Sequence, residues 1–234
     1  MKSAREGSRG SQARRAGEFF SKLTACSLED FSAMEYPSSY AANVVLFTER
    51  EPVKALFVVL QGEVRLSINS NGGRRLSLRI ARMGDIIGLS SSLSGTPYDV
   101  TAETLYPSKI AVIERREFQK FLERHPDAYQ SVIEELGRQM TIASSQLRSL
   151  GLSYSAPEKL ARLLLEWSDR GQAAGTGSQL PFSLTHEEIG NFIGTSRETV
   201  TRTLRNFKNR SLVVFHGSMM TIPNRAALED YAHA

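Results

Sequence analysis

The spacing of apolar positions changes twice along this chain, and each change predicts a different kind of element. Between Tyr36 and Val112 the apolar residues come in short runs broken by glycine and polar residues: Val44–Phe47, Leu56–Leu60, Val64–Ile68 and Leu76–Ile80. Gln61-Gly62-Glu63 and Asn71-Gly72-Gly73 are turn sequences between them, the second a strong hairpin signal. Many short strands at this spacing predict an antiparallel roll or barrel. The period then becomes helical. Arg116–Glu123 reads as a short helix, His125-Pro126 as a junction, and residues 127–150 as a long helix interrupted only by Gly137. Within it Val132, Leu136, Met140, Ala143, Leu147 and Leu150 recur three or four residues apart, a heptad-like seam. Gly151–Tyr154 reads as a hinge, and 156–170 as a further helix with Leu160, Leu163, Leu164 and Trp167 inward. Gly171–Gln179 reads as a flexible loop.

The stretch Leu184–Arg202 is the most specific. It predicts two short helices across a tight turn. Thr185 and Glu188 have the spacing of a capping box, Ile189, Phe192 and Ile193 supply a buried face, and Gly194-Thr195 makes the turn. Ser196 is placed to cap the second helix. At about 100° per residue, Val200, Thr203, Leu204 and Phe207 share one side of it, while Arg197, Glu198, Thr201, Arg202, Arg205 and Lys208 share the other. Charged helix faces often do no more than meet water. Here residues 197–210 hold five cations against Glu198 alone, which favours a polyanion. Leu212–Phe215, a turn at His216-Gly217-Ser218, and Met219–Ile222 then read as a hairpin. A hairpin directly after a basic amphipathic helix is the wing of a winged helix-turn-helix, which places that helix in the DNA major groove.

The segment EIGNFIGTSRETVTRTL resembles the DNA-binding motif of the cyclic-AMP receptor protein and fumarate–nitrate reductase regulator (Crp/Fnr) superfamily, with GTSRETVTR close to the receptor branch. The order VVLQGEVRLS, RMGDIIGLSS, TAETL is similar to that superfamily's cyclic-nucleotide-binding β-roll. Together the resemblances cover roughly residues 18–225. They imply an α+β chain: a basic tail (1–17) expected to be disordered, a β-roll sensor domain (18–125), a dimerisation helix (126–150), a hinge (151–155) and a winged helix-turn-helix (156–234). They imply a homodimer on a palindromic site, with RNA polymerase as a further partner.

By the same resemblance Arg197, Glu198 and Arg202 read bases, which implies a half-site similar to TGTGA. The chemistry agrees, since the guanidinium fork matches the two acceptors of guanine and a carboxylate accepts from cytosine. Glu198 has a local alternative, pairing with Arg202 one turn away. Thr185, His186, Ser196 and Thr199 are expected phosphate contacts, with His216 and Ser218 as weaker ones.

The sensor departs from the receptor pattern. The expected effector pocket comprises Gly88, Leu89, Ser90, Ser91, Ser92, Tyr98, Asp99 and Ser144. Leu89 stands where the ribose-binding glutamate belongs. Tyr98 or Asp99 stands where the phosphate-binding arginine belongs, and neither neutralises a phosphate. Ala143 and Ser144 align with a threonine–serine pair, so half of it is lost. Cyclic nucleotide is therefore not the expected effector; a cyclic-nucleotide-responsive regulator with an atypical pocket is the alternative. An iron–sulfur cluster needs about four cysteines, and the chain has only Cys26, expected to be a buried apolar-like thiol. Residues 36–115 contain no His and no Cys, which argues against haem in the roll, against a metal site, and against a cupin-like metal enzyme. No cofactor is expected.

Composition adds bounds. The 234 residues are 41% hydrophobic and 23% charged, enough for two domains with real cores. No apolar run approaches the roughly 18 residues of a membrane helix, and the N-terminus lacks a secretory signal. With a single cysteine no internal disulfide forms, which points to the cytoplasm. The net charge of +4 is matched by the tail alone, where Lys2, Arg5, Arg9, Arg14 and Arg15 face only Glu6.

Overall fold

A computed structural model describes residues 17–69, 75–151, 155–173, 179–182, 184–217 and 219–233. They fall into two compact units, the first ending at Ala143 and the second beginning at Ser144.

The first unit is a roll of two four-stranded antiparallel sheets. One has the order β1 (Tyr36–Tyr40), β8 (Ser108–Glu114), β3 (Ala55–Gln61), β6 (Ile86–Ile87); the other has β2 (Val45–Phe47), β7 (Thr101–Thr104), β4 (Val64–Asn69), β5 (Arg75–Ala81). The run Ala55–Leu60 is buried at every position, although a half-exposed strand would alternate. Its odd and even residues serve different cores. Ala55, Phe57 and Val59 pack between the sheets with Phe47, Val64, Leu66, Tyr98 and Ala102. Leu56, Val58 and Leu60 face outward onto a layer of helices. That layer consists of a 3₁₀ turn (Glu18–Lys22), α1 (Ala25–Ala33), α3 (Arg115–Arg124) and the start of α4 (Asp127–Gly151). Its aromatic centre is Phe19, Phe20, Phe31, Phe118 and Phe121, all with less than a twentieth of their surface exposed. Burying a Phe or Leu is worth about 1.5–3 kcal/mol each, so this layer is a major part of the unit's stability.

Several expectations need correction. Gly17 is buried, with Gly84 O 2.3 Å from where a Cβ would stand, so a disordered tail cannot include it. Residues 1–16 lie outside the described residues, as do the Asn71–Gly73 turn, most of the expected hinge and Ser218. Gly151 itself closes α4. Cys26 is exposed on α1 rather than buried.

The expected seam on α4 holds in its C-terminal part, where Met140, Ala143 and Leu147 are exposed, and fails at its start. Val132 is buried in the helix-side core of the roll, and Leu136 packs against it. The outward apolar stripe begins at Tyr129 and Ile133 and continues through the expected Met140 and Leu147, with Ile133, Met140 and Leu147 exposed by 62%, 74% and 70%. Ala143 is also exposed, and the side chain of Leu150 lies outside the described residues.

In the second unit α5 runs Ala156–Ala173, so the expected loop at Gly171 begins as helix. Its first turn is closed by Ser155, whose hydroxyl accepts from Glu158 N–H. A strand unforeseen in the sequence, β9 (Gln179–Pro181), pairs with the hairpin as its third strand. The hairpin itself is β10 (Val214–His216) and β11 (Met219–Thr221). His216 belongs to the strand, not the turn; Leu212 and Val213 are buried ahead of it. Gly217 has φ +61°, as a two-residue hairpin turn demands. The chain ends in α8 (Arg225–His233), anchored by Arg225, which pairs with Asp169 and Glu229.

Candidate nucleic-acid interface

The site is two helices, α6 (His186–Ile193) and α7 (Arg197–Asn209). Thr185 caps α6 by accepting from Glu188 N–H, and the Glu188 carboxylate accepts from Thr185 N–H at 2.7 Å, completing the capping box. The turn depends on two glycines. Gly194 sits at φ +65°, a left-handed conformation that costs most side chains about 1–2 kcal/mol. Gly190 lets the next turn of chain come close, since a Cβ there would stand 2.7 Å from Thr195 O. Ser196 then accepts from Thr199 N–H at 3.2 Å and starts α7.

The buried face of α7 is Val200, Thr203, Leu204 and Phe207, as its period predicts. Trp167 of α5 meets Phe192 edge-on at 6.0 Å, and Phe207 meets Tyr231 of α8 at 5.2 Å. These contacts fix the rotation of α7 and turn its other face outward. On that face Arg197, Glu198, Arg202, Arg205 and Lys208 are all exposed. Among the described residues Arg202, Arg205 and Lys208 make no ion pair, so the local pairing of Glu198 with Arg202 does not form. The Glu198 carboxylate folds back instead. A hydrogen bond from its own backbone N–H, then one from the Ser196 hydroxyl, then the Arg197 charge hold it below its ordinary carboxylate range.

Of the expected phosphate contacts, Thr185, Ser196 and His216 are exposed. Thr199 is half-buried, its hydroxyl 3.1 Å from that of Ser196. His186 is tied inward: its Nδ1 lies 2.8 Å from Thr201 Oγ1, which donates to Arg197 O. Because Thr201 has one proton to give, His186 must be the donor in that pair. The sequence placed His186 and Thr201 on DNA-facing surfaces and did not pair them. Gly190 inside a helical pattern was a visible hint of close approach.

Of the expected effector residues, Ser91, Ser92 and Tyr98 spend their hydroxyl protons on the protein itself. Residues Leu89–Ser94 form a short helix, α2, preceded by Gly88 at φ +76°. Leu89 is buried in the helix-side core. Tyr98 stacks on Phe47 at 3.9 Å, donates to Ala55 O at 2.7 Å, and lies 3.1 Å from where a Gly88 Cβ would be. Ser92 donates to Ala55 O and Ser91 to Pro97 O. Ser90 and Asp99 are exposed, and so is Ser144 on α4. Among the described residues no group of three or more His, Cys, Asp or Glu is arranged to hold a metal ion.

Comparison with known proteins agrees with both halves of this geometry. Residues 37–125 match the cyclic nucleotide-binding domain, and residues 158–231 match the Crp-like helix-turn-helix domain. The chain belongs to the Crp/Fnr family. This Crp/Fnr regulator is 27% identical over 187 residues to the transcriptional activatory protein AadR of Rhodopseudomonas palustris, covering 80% of this chain and 77% of the relative. It is 25% identical over 193 residues to a CRP-like cAMP-activated global transcriptional regulator of Mycobacterium tuberculosis, covering 82% and 86%. Its fold is that of FixK2 from Bradyrhizobium japonicum, with a TM-score of 0.77 at 23% identity over 86% of this chain and 98% of that one. Family membership makes it a DNA-binding transcription regulator. No helix among the described residues is long and apolar enough to cross a membrane.

Proposed function

We propose that this regulator is a cytoplasmic homodimer that reads a palindromic operator with TGTGA-like half-sites, and that its roll responds to something other than a cyclic nucleotide. One observation carries the DNA reading: Arg197, Glu198 and Arg202 are together exposed on the face of α7 opposite its buried one. Two guanidinium forks and one carboxylate on a single face can address a short run of guanine and cytosine edges. The exposed stripe of Tyr129, Ile133, Met140 and Leu147 supports self-association along α4. A two-fold dimer then presents two recognition helices to successive major grooves. RNA polymerase is the further partner of a regulator of this kind.

The control signal is argued from the cassette. Tyr98, Ser91 and Ser92 spend their hydroxyl protons on backbone carbonyls, and Leu89 offers no polar atom. One guanidinium does reach the cassette, Arg115 donating through Nε to Ser92 O beside Gly95, but Leu89, Tyr98 and Asp99 add no cation for a cyclic phosphate and Asp99 would repel one. Relatives named as cAMP-activated keep the alternative of an atypical cyclic-nucleotide pocket in view. We propose no iron–sulfur cluster and no haem.

The test is fluorescence anisotropy on a palindromic TGTGA–TCACA duplex and a scrambled control, with and without cyclic AMP. Sequence-dependent binding indifferent to the nucleotide is expected. Binding only with cyclic AMP would overturn the reading of the cassette. Equal affinity for both duplexes would overturn the half-site.

A further inference from the structure

The joint between α3 and α4 holds a buried histidine whose contacts cannot all be satisfied by a neutral ring. His125, with 9% of its surface exposed, ends α3. Its Nε2 is 2.8 Å from Asp30 Oδ2 and its Nδ1 is 3.0 Å from Ser27 Oγ, both partners on α1. The Ser27 hydroxyl also stands 2.8–2.9 Å from both oxygens of Asp127, the first residue of α4. Thr24 N–H donates to Asp127 as well, at 3.0 Å.

Protons can be counted around this cluster. Each ionised carboxylate only accepts. Asp30 therefore requires a proton on Nε2. Ser27 has one proton, and its oxygen meets the Asp127 carboxylate, His125 Nδ1 and, at 2.9 Å, the Thr24 hydroxyl; Thr24 has a proton of its own to give and the carboxylate has none, so the Ser27 proton points to Asp127. Nδ1 must then donate to Ser27 Oγ. With both carboxylates ionised, the full set of contacts is met only when both ring nitrogens carry hydrogen. Phe121 lies under the ring at 4.7 Å, and the ring sits between the C-terminal end of α3 and the N-terminal end of α4, whose dipoles act on it in opposite senses. The charged groups around it are Asp30 on α1, Arg124 on α3, 3.7 Å from the same Asp30 oxygen, and Asp127 on α4. Asp127 is held below its ordinary range, chiefly by Thr24 N–H and then the Ser27 hydroxyl, so it stays an acceptor. Ser27, His125 and Asp30 have the order of a nucleophilic triad, but Ser27 is 1% exposed and its proton is committed to Asp127.

We propose that His125 is a proton-operated stitch: charged, it lets Ser27 fasten α1 to the first residue of α4; neutral, its Nδ1 accepts a hydrogen bond from the Ser27 hydroxyl, which turns away from Asp127 and loosens that fastening. The balance closes with one proton released to solvent and one hydroxyl turned from Asp127 to His125. Since α4 carries the outward apolar stripe, the stitch gives the regulator a proton input at the base of that helix. This last consequence rests on the proposed dimer and DNA functions; the stitch itself does not.

The experiment uses the full chain labelled with ¹⁵N-histidine, at about pH 6 and about pH 8, the range over which imidazoles change charge. The His125 resonance is assigned by its loss in His125→Gln. Two protonated ring nitrogens are expected at the lower pH. Amide exchange in α1, corrected for the intrinsic effect of pH, is expected to rise about tenfold at the higher one, as a charge-assisted hydrogen bond becomes a neutral one. Asp30→Asn, which removes the charge facing Nε2, should show the faster exchange already at the lower pH, and it serves if His125→Gln does not fold. A neutral His125 at the lower pH, or α1 exchange that is indifferent to pH in the unsubstituted chain, overturns the proposal. Failure of operator binding with the exchange response intact would strike the proposed DNA function and leave the stitch standing.

Discussion

Glu198 has two uses for one carboxylate. In the free protein it accepts from its own N–H and from Ser196, contacts that start α7 and hold it ionised. A folded value below the ordinary one means these contacts act at neutral pH and are lost only as pH falls through the lowered value. Discrimination at the base pair facing Glu198 should therefore persist from neutral pH down to about pH 5, above an ordinary glutamate's range. The ratio of affinities for matched and single-mismatch duplexes checks this. A ratio that collapses well above that range would show that Glu198 is not the reader. Arg197 makes a sharper case. Arg197→Ala should cost roughly 1–3 kcal/mol at one guanine and relax preference there, read from anisotropy on base-substituted operators. An equal loss on all sequences would make Arg197 a phosphate contact. At this scale the sequence revealed what is local. Thr185 with Glu188, and Ser196 with Thr199, lie three residues apart and their caps could be read directly. His186 and Thr201 meet only because two helices dock at one angle, and no spacing rule announces that. The exposure of Cys26 likewise depends on which side of α1 the aromatic layer takes.

Elements were legible where period and length agreed. The paired helices, the wing and strands β2 to β5 of the roll follow their apolar runs, whereas β1, β6, β7 and β8 were not legible in the sequence. Three-residue β9 is too short to carry a period, and it is defined by its partner β11. The seam, right at Met140 and Leu147 and wrong at Val132 and Leu136, is more instructive. Helix α4 carries two apolar stripes: Ala128, Val132 and Leu136 face the roll, while Tyr129, Ile133 and Met140 face outward. The inward stripe steps by four and the outward one by four and then seven, both compatible with a helical period, so periodicity alone cannot say which meets the protein's own core. The two can be separated by charge. Ile133→Asp with Met140→Asp should leave the roll folded and abolish the dimer, measured by sedimentation velocity. Val132→Asp should instead unfold the first unit, because a lone carboxylate cannot be buried there unpaired. If the outward pair left the dimer intact, self-association would use another surface. The turn between α6 and α7 offers a stability test. Gly190→Ala forces a Cβ against backbone at 2.7 Å, an overpacking that costs about 1–3 kcal/mol, visible as a lowered Tm of the second unit.

At the scale of the whole molecule, charge explains why composition said so little about DNA. The net charge of +4 equals that of the N-terminal tail, so the rest of the chain is close to neutral. The cations of α7 are locally concentrated, not globally in excess, and among the described residues Arg202, Arg205 and Lys208 are not spent on ion pairs. A nearly neutral body with a basic recognition face should bind DNA with modest non-specific affinity and a salt dependence set by few phosphate contacts. The two kinds of cation can then be told apart. Arg205 is exposed one turn beyond Arg202, further from the end of α7 that carries the base readers. If it touches only phosphate, Arg205→Ala on both protomers releases about two fewer counterions, and the slope of log K against log salt falls by about two. Preference for the TGTGA duplex over the scrambled one should not change. Arg197→Ala should do the reverse, leaving the slope nearly constant while preference drops at one position. A change in preference with Arg205→Ala would extend base reading a further turn along α7, and the half-site would then be longer than five base pairs.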